Sequence, residues 1–163
     1  MKEILLITPP FTQLNTPYPA TSYLKGFLNT KDIASSQMDL GIEVILELFT
    51  PYRLSEIFEI AFKNDAIQSE NSERIYDLKE EYLITIESVL LFLQGKNQTL
   101  ARQICTENFL PQASKFDELD DLEWAFGNMG MQDKAKHLAT LYLEDLSDFI
   151  TECIDENFGF SRY

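Results

Sequence analysis

The sequence predicts a mostly helical chain that opens with a small parallel β-α-β unit, and three observations carry that reading. Apolar residues run without a break through Ile4-Leu5-Leu6-Ile7 and stop at Pro9-Pro10, the pattern of a short strand buried on both faces. One helical stretch and a second strand-like stretch follow, the strand–helix–strand order of a right-handed crossover between parallel strands. Beyond Gly41 the apolar spacing changes from two to 3.6 and stays there.

Composition narrows the function classes. With 163 residues, 45% of them hydrophobic and 25% charged, the chain is one domain or part of one and is not disordered as a whole. Thirteen basic side chains stand against 27 acidic ones, a net charge of −14. Nucleic acid and anionic membrane both require basic patches, so neither is an expected partner. No apolar run reaches the roughly 18 residues of a membrane span, and the opening MKEILLITPP meets prolines before a signal-peptide core forms. A soluble cytoplasmic protein is expected.

Taken in order, Glu3 to Thr8 is the first strand, and the stretch from Pro9 to Pro19, with four prolines, is a stiff extended loop. Pro19 suits the first turn of a helix to about Asn29, with Tyr23, Leu24, Phe27 and Leu28 expected on its buried face. After the turn at Thr30-Lys31-Asp32, residues Ile33 to Leu40 form the second strand. Ile42, Ile45, Leu46 and Phe49 make the stripe of the next helix, and Thr50-Pro51 caps another that buries Leu54, Ile57, Phe58, Ala61 and Phe62. Asn64 to Ser72 is polar and loop-like. A long helix from about Glu73 to Gln94 presents Ile75, Leu78, Tyr82, Ile86, Val89, Leu90 and Leu93, and Gly95-Lys96 ends it. Short helices are expected at Leu100 to Cys105 and Leu119 to Phe126, the latter approached through the capping-box-like Ser114-Lys115-Phe116-Asp117. A final helix from Met131 to Asp155 buries Ala135, Leu138, Leu141, Leu146, Phe149, Ile150 and Cys153.

Residues with distinctive chemistry are scarce. Cys105 and Cys153, far apart and each in a helical pattern, read as small buried thiols rather than a disulfide or metal knuckle. His137 follows Asp133 by one helical turn, but a single such pair makes no metal site. Gly127-Asn128-Met129-Gly130 lacks the Lys-Ser/Thr of a phosphate loop and reads as a helix-to-helix turn using the positive φ of glycine. The acidic run Asp117, Glu118, Asp120, Asp121 and Glu123 lacks the ligand rhythm of a calcium loop and reads as a solvated helix start.

The opening resembles the start of radical S-adenosylmethionine proteins that carry an N-terminal cobalamin-binding-type domain. The resemblance rests on the strand running into Pro9-Pro10, the proline-led helix Pro17-Tyr18-Pro19-Ala20-Thr21-Ser22-Tyr23-Leu24-Lys25-Gly26-Phe27-Leu28, and the strand closing on Met38-Asp39-Leu40. Leu141 to Leu146 and Phe158-Gly159-Phe160-Ser161-Arg162-Tyr163 are similar to the family's run-in to its next strand. About a third of the chain carries the likeness. It implies residues 1–41 as the α/β start of a Rossmann-like domain, 42–156 as a helical insertion and 157–163 as the run-in to a downstream segment. It also implies a parent protein of iron–sulfur oxidoreductase type that uses S-adenosylmethionine and a [4Fe–4S] cluster, with cobalamin in some members.

Departures from that family restrict what this chain does by itself. The C-x-x-x-C-x-x-C triplet that holds the cluster is missing, and Thr8-Pro9-Pro10-Phe11 stands where a D-x-H-x-x-G signature would supply an axial histidine. No cofactor is therefore expected on this chain. In a parallel sheet the ligand crevice lies beyond the carboxyl ends of the strands, which puts Pro9, Pro10, Phe11 and Asp39 at its edge. The plain alternatives are a strand stop for the prolines and a helix cap for Asp39. The expected role is a non-catalytic accessory region that shapes or covers a downstream catalytic barrel of the same polypeptide, the open strand edge or the aromatics Trp124, Phe126, Phe158 and Phe160 offering a route to a homo-oligomer. The rival is a stand-alone acidic interaction module, in which 117–130 and 131–155 form a tetratricopeptide-like helix pair marked by Trp124, Ala125 and Tyr142.

Overall fold

The computed structural model describes residues 3–10, 19–106, 108–117 and 130–159. The chain divides into two compact units, residues 1–48 with 159–163 and residues 49–158.

The first unit is the β-α-β start. Strands β1 (Ile4–Thr8) and β2 (Ser35–Asp39) pair in parallel, with Ile4 opposite Ser35 and Thr8 opposite Asp39. Helix α1 (Pro19–Asn29) connects them and packs against both, and its Lys25 Nζ donates to the Ser35 carbonyl at 3.0 Å. Helix α2 (Leu40–Leu48) starts directly after β2.

Burial in this unit departs from the expected pattern. In β1 only Thr8 is buried, while Leu5 and Ile7 are 51% and 48% exposed, so the strand is not covered on both faces. Tyr23 and Phe27 of α1 are 79% and 58% exposed and Leu24 is exposed with them. The half-buried side of α1 is instead Ala20, Thr21, Lys25 and Leu28. Apolar periodicity located the helix but not the side that meets the strands, because a two-stranded sheet has too little surface to cover a full apolar stripe.

The second unit is helical: α3 (Pro51–Lys63), α4 (Glu70–Asp77), α5 (Lys79–Leu93), a 3₁₀ turn at Gln98–Leu100 leading into α6 (Ala101–Ile104), a second 3₁₀ turn at Ser114–Phe116, and α7 (Met131–Cys153). Thr50 caps α3 by accepting the Arg53 N–H, with Pro51 in the first turn. Helix α7 packs against α4, α5, α6 and the second 3₁₀ turn, and α3 packs on α5. The core they enclose includes Leu54, Phe58, Ile75, Tyr82, Ile86, Phe92, Tyr142, Leu146 and Phe149. Phe58 meets Phe149 edge-on at 5.0 Å between ring centroids, a favoured aromatic geometry.

Several expectations are corrected here. The long helix is two, broken at Leu78, and its first half starts at Glu70 inside the stretch read as loop. Ser69 and Ser72 form a reciprocal capping box there, and Glu152 of α7 accepts from both hydroxyls at 2.8 and 2.9 Å. A serine at the third helical position replaces the usual Glu or Gln, which hid the signal. Phe62 is 65% exposed and stacks on Tyr76 at 5.7 Å, with Lys79 Nζ 3.9 Å from the Tyr76 centroid. Residues 114–116 form a 3₁₀ turn with no side-chain cap. Gly130 has φ −63 and precedes α7 without the positive φ expected of the turn, and Phe158 is buried rather than exposed. The expected helix at Leu119 to Phe126, with Trp124, the remaining acidic run from Glu118, Gly127 to Met129, and Phe160 lie outside the described residues.

Among the described residues three helices end in the same left-handed motif. Gly95 at φ 77, Asp65 at φ 52 and Asp32 at φ 53 follow α5, α3 and α1. In each case the next residue's N–H reaches back five positions: Lys96 to Leu91, Ala66 to Ala61 and Ile33 to Leu28. Glycine takes this conformation without strain, and aspartate is among the few other residues that tolerate it. Gly95→Ala is expected to destabilise the helical unit by about 1 kcal/mol, measurable as a lower urea midpoint. An added Cβ there would meet only Gln98 Nε2 at 3.6 Å, so the loss comes from the backbone and not from a clash.

Candidate functional site

The carboxyl ends of the two parallel strands form the edge to which sequence reasoning assigned a ligand crevice. Pro9 and Pro10 are exposed at the end of β1, where they stop the pairing, and buried Thr8 lies opposite Asp39. Asp39 is half-buried, and its Oδ1 accepts the Ile42 N–H at 3.3 Å. That bond caps the first turn of α2 and commits one carboxylate oxygen to the backbone. Phe11 lies outside the described residues. Register thus places Asp39 beside Thr8, the residue before the proline pair, with those prolines and a capping carboxylate as the chemistry on offer.

The thiols and the histidine lie apart from the strand ends along the chain, on or beside helices of the second unit. Cys153 donates to the Ala66 carbonyl at 3.5 Å, and burial, aided by the neighbouring Glu152, pushes its pKa up to about 11. Cys105 lies against the Met131 carbonyl at 3.7 Å, and burial raises its pKa also. Each sulfur is held as a thiol, whereas iron ligation needs three converging thiolates. His137 and Asp133 both lie on α7 in the helical unit, not at the end of β1. No group of three His, Cys, Asp or Glu side chains suited to a metal ion occurs among the described residues. The sequence has two cysteines, fewer than the three thiolates of the C-x-x-x-C-x-x-C triplet, and one histidine, His137, on α7.

The most developed polar arrangement went unnoticed in the sequence. Asp145 is fully buried on α7, where its Oδ2 accepts the Ala113 N–H at 2.9 Å and its Oδ1 the Lys115 N–H at 3.0 Å. Tyr82 of α5 adds a longer donation at 3.4 Å. One carboxylate thereby fastens the segment 113–117 to α7. Arg74 Nη1 of α4 donates to both carboxylate oxygens of Asp117 at 3.0 and 2.9 Å, Lys115 pairs with Asp148 at 2.8 Å, and Asn71 accepts the Ser114 N–H at 3.2 Å. Asp117 therefore serves as an ion-pair partner within the fold. Tyr142, buried beside Tyr82 at 5.0 Å between centroids, donates to the Tyr82 carbonyl at 3.1 Å and lies 3.0 Å from Thr85 Oγ1.

Electrostatics mark the same place. Burial pushes the Asp145 carboxyl above its ordinary value, and the Lys115 and Ala113 N–H groups pull the other way. Tyr82 is held protonated by burial and by the Asp145 charge, and Tyr142 by burial. Asp145, Tyr82 and Tyr142 are fully buried, so their hydrogen bonds organise the helical unit, while the Arg74–Asp117 and Lys115–Asp148 pairs stand at its surface. A signal was available: Leu138, Tyr142, Asp145 and Phe149 recur at spacings of four, three and four, so a lone carboxylate sits in the apolar stripe of the last helix.

Among the described residues no helix is long and apolar enough to cross a membrane. Comparison with protein families, with curated sequences and with solved structures finds no match for this chain.

Proposed function

We propose that the chain is the non-catalytic N-terminal accessory region of a radical S-adenosylmethionine iron–sulfur protein, and that its β-α-β unit docks on a downstream catalytic half. One observation carries the reading. A strand of central-sheet composition, Ile4-Leu5-Leu6-Ile7, pairs on one side with the polar strand Ser35-Ser36-Gln37-Met38-Asp39 and keeps Leu5 and Ile7 about half exposed. Strands this apolar belong inside a sheet covered by helices, and two parallel strands fall short of an independent sheet. The downstream half would supply further strands beside β1 and cover the face carrying Leu5, Ile7 and Met38. Cluster, S-adenosylmethionine and any cobalamin would be held by that half, a reading supported by the absence of a C-x-x-x-C-x-x-C triplet and of a D-x-H-x-x-G signature from this sequence.

A titration of this chain with the separately expressed downstream half tests the reading. The wild-type chain is expected to bind, and Leu5→Asp with Ile7→Asp is expected to abolish binding while the helical circular dichroism stays unchanged. Binding that survives both substitutions would overturn the proposal.

The second reading, an acidic helical interaction module, is favoured by the distribution of charge. Nearly all of the net negative charge falls in residues 49–158, and the β-α-β unit is close to neutral. Such a module would bind a basic protein partner and would do so equally well with Leu5 and Ile7 replaced.

A further inference from the structure

We draw no further inference here: the strongest candidate, the outer face of α5 where Glu80, Glu81 and Glu87 surround the exposed Ile84, is an acidic cluster on an unpartnered helix face, and nothing in the structure shows what covers it.

Discussion

Replacing Asp145 by alanine is expected to lower the stability of the helical unit by about 3 kcal/mol, because two backbone N–H groups that now donate to one carboxylate would be left without an acceptor inside the protein. Ala113 is fully buried, so water does not readily take over its N–H. Asp145→Asn should fall between wild type and alanine. Its amide oxygen satisfies one donor, while its NH₂ faces the other. Urea unfolding followed by circular dichroism gives the order wild type, asparagine, alanine. Equal stability of all three would show that the segment 113–117 is held by its apolar residues alone.

The same carboxylate imposes a pH dependence of unusual sign. Its folded-state pKa is raised above the ordinary 3.8 because burial outweighs the N–H donors. The folded protein therefore holds this proton to higher pH than the unfolded chain does. Its contribution is most favourable below the unfolded value and declines as pH rises through the folded one. Relative to Asp145→Asn, wild type should gain stability as pH falls through that window. Groups facing Asp145 leave the sign intact: the nearby Asp148 charge raises its pKa further, and Tyr82 and Tyr142 remain protonated throughout the range.

Phe149→Ala is expected to cost the helical unit about 3–5 kcal/mol, the range for deleting a buried aromatic ring. Phe149 is 1% exposed and packs edge-on against Phe58. Phe27→Ala, on the outward side of α1, should change stability by no more than about 0.5 kcal/mol. The contrast separates the two units, since both phenylalanines lie in helices with an apolar stripe. A large effect at Phe27 would mean that α1 buries the stripe its periodicity suggests.

Much of the fold was legible because strong local signals agreed with it. The mostly helical architecture with a small β-α-β start, the Thr50-Pro51 helix opening, the Gly95 stop and the buried stripe of the last helix were all readable from spacing and capping chemistry. The failures have physical causes. Whether Leu5, Ile7, Tyr23 and Phe27 are covered depends on how much second-layer surface exists, which no local window contains. The break at Leu78 carries no Gly or Pro. Asp32 and Asp65 end helices where glycine is the familiar marker. Asp145 escapes a local reading because a carboxylate is expected at the surface, and its donors, the N–H groups of Ala113 and Lys115, lie some 30 residues away in the chain. At the candidate crevice, the sequence placed Pro9, Pro10 and Asp39 at the strand ends, but the capping bond from Ile42 to Asp39 emerged only with the structure.

Reading the coding sequence beyond the Tyr163 codon tests the central proposal most directly. The account predicts an open frame with further strand-like segments and then a C-x-x-x-C-x-x-C motif, supplying the thiolates this chain lacks. A stop codon immediately after Tyr163 would contradict it and leave the acidic interaction module as the better reading.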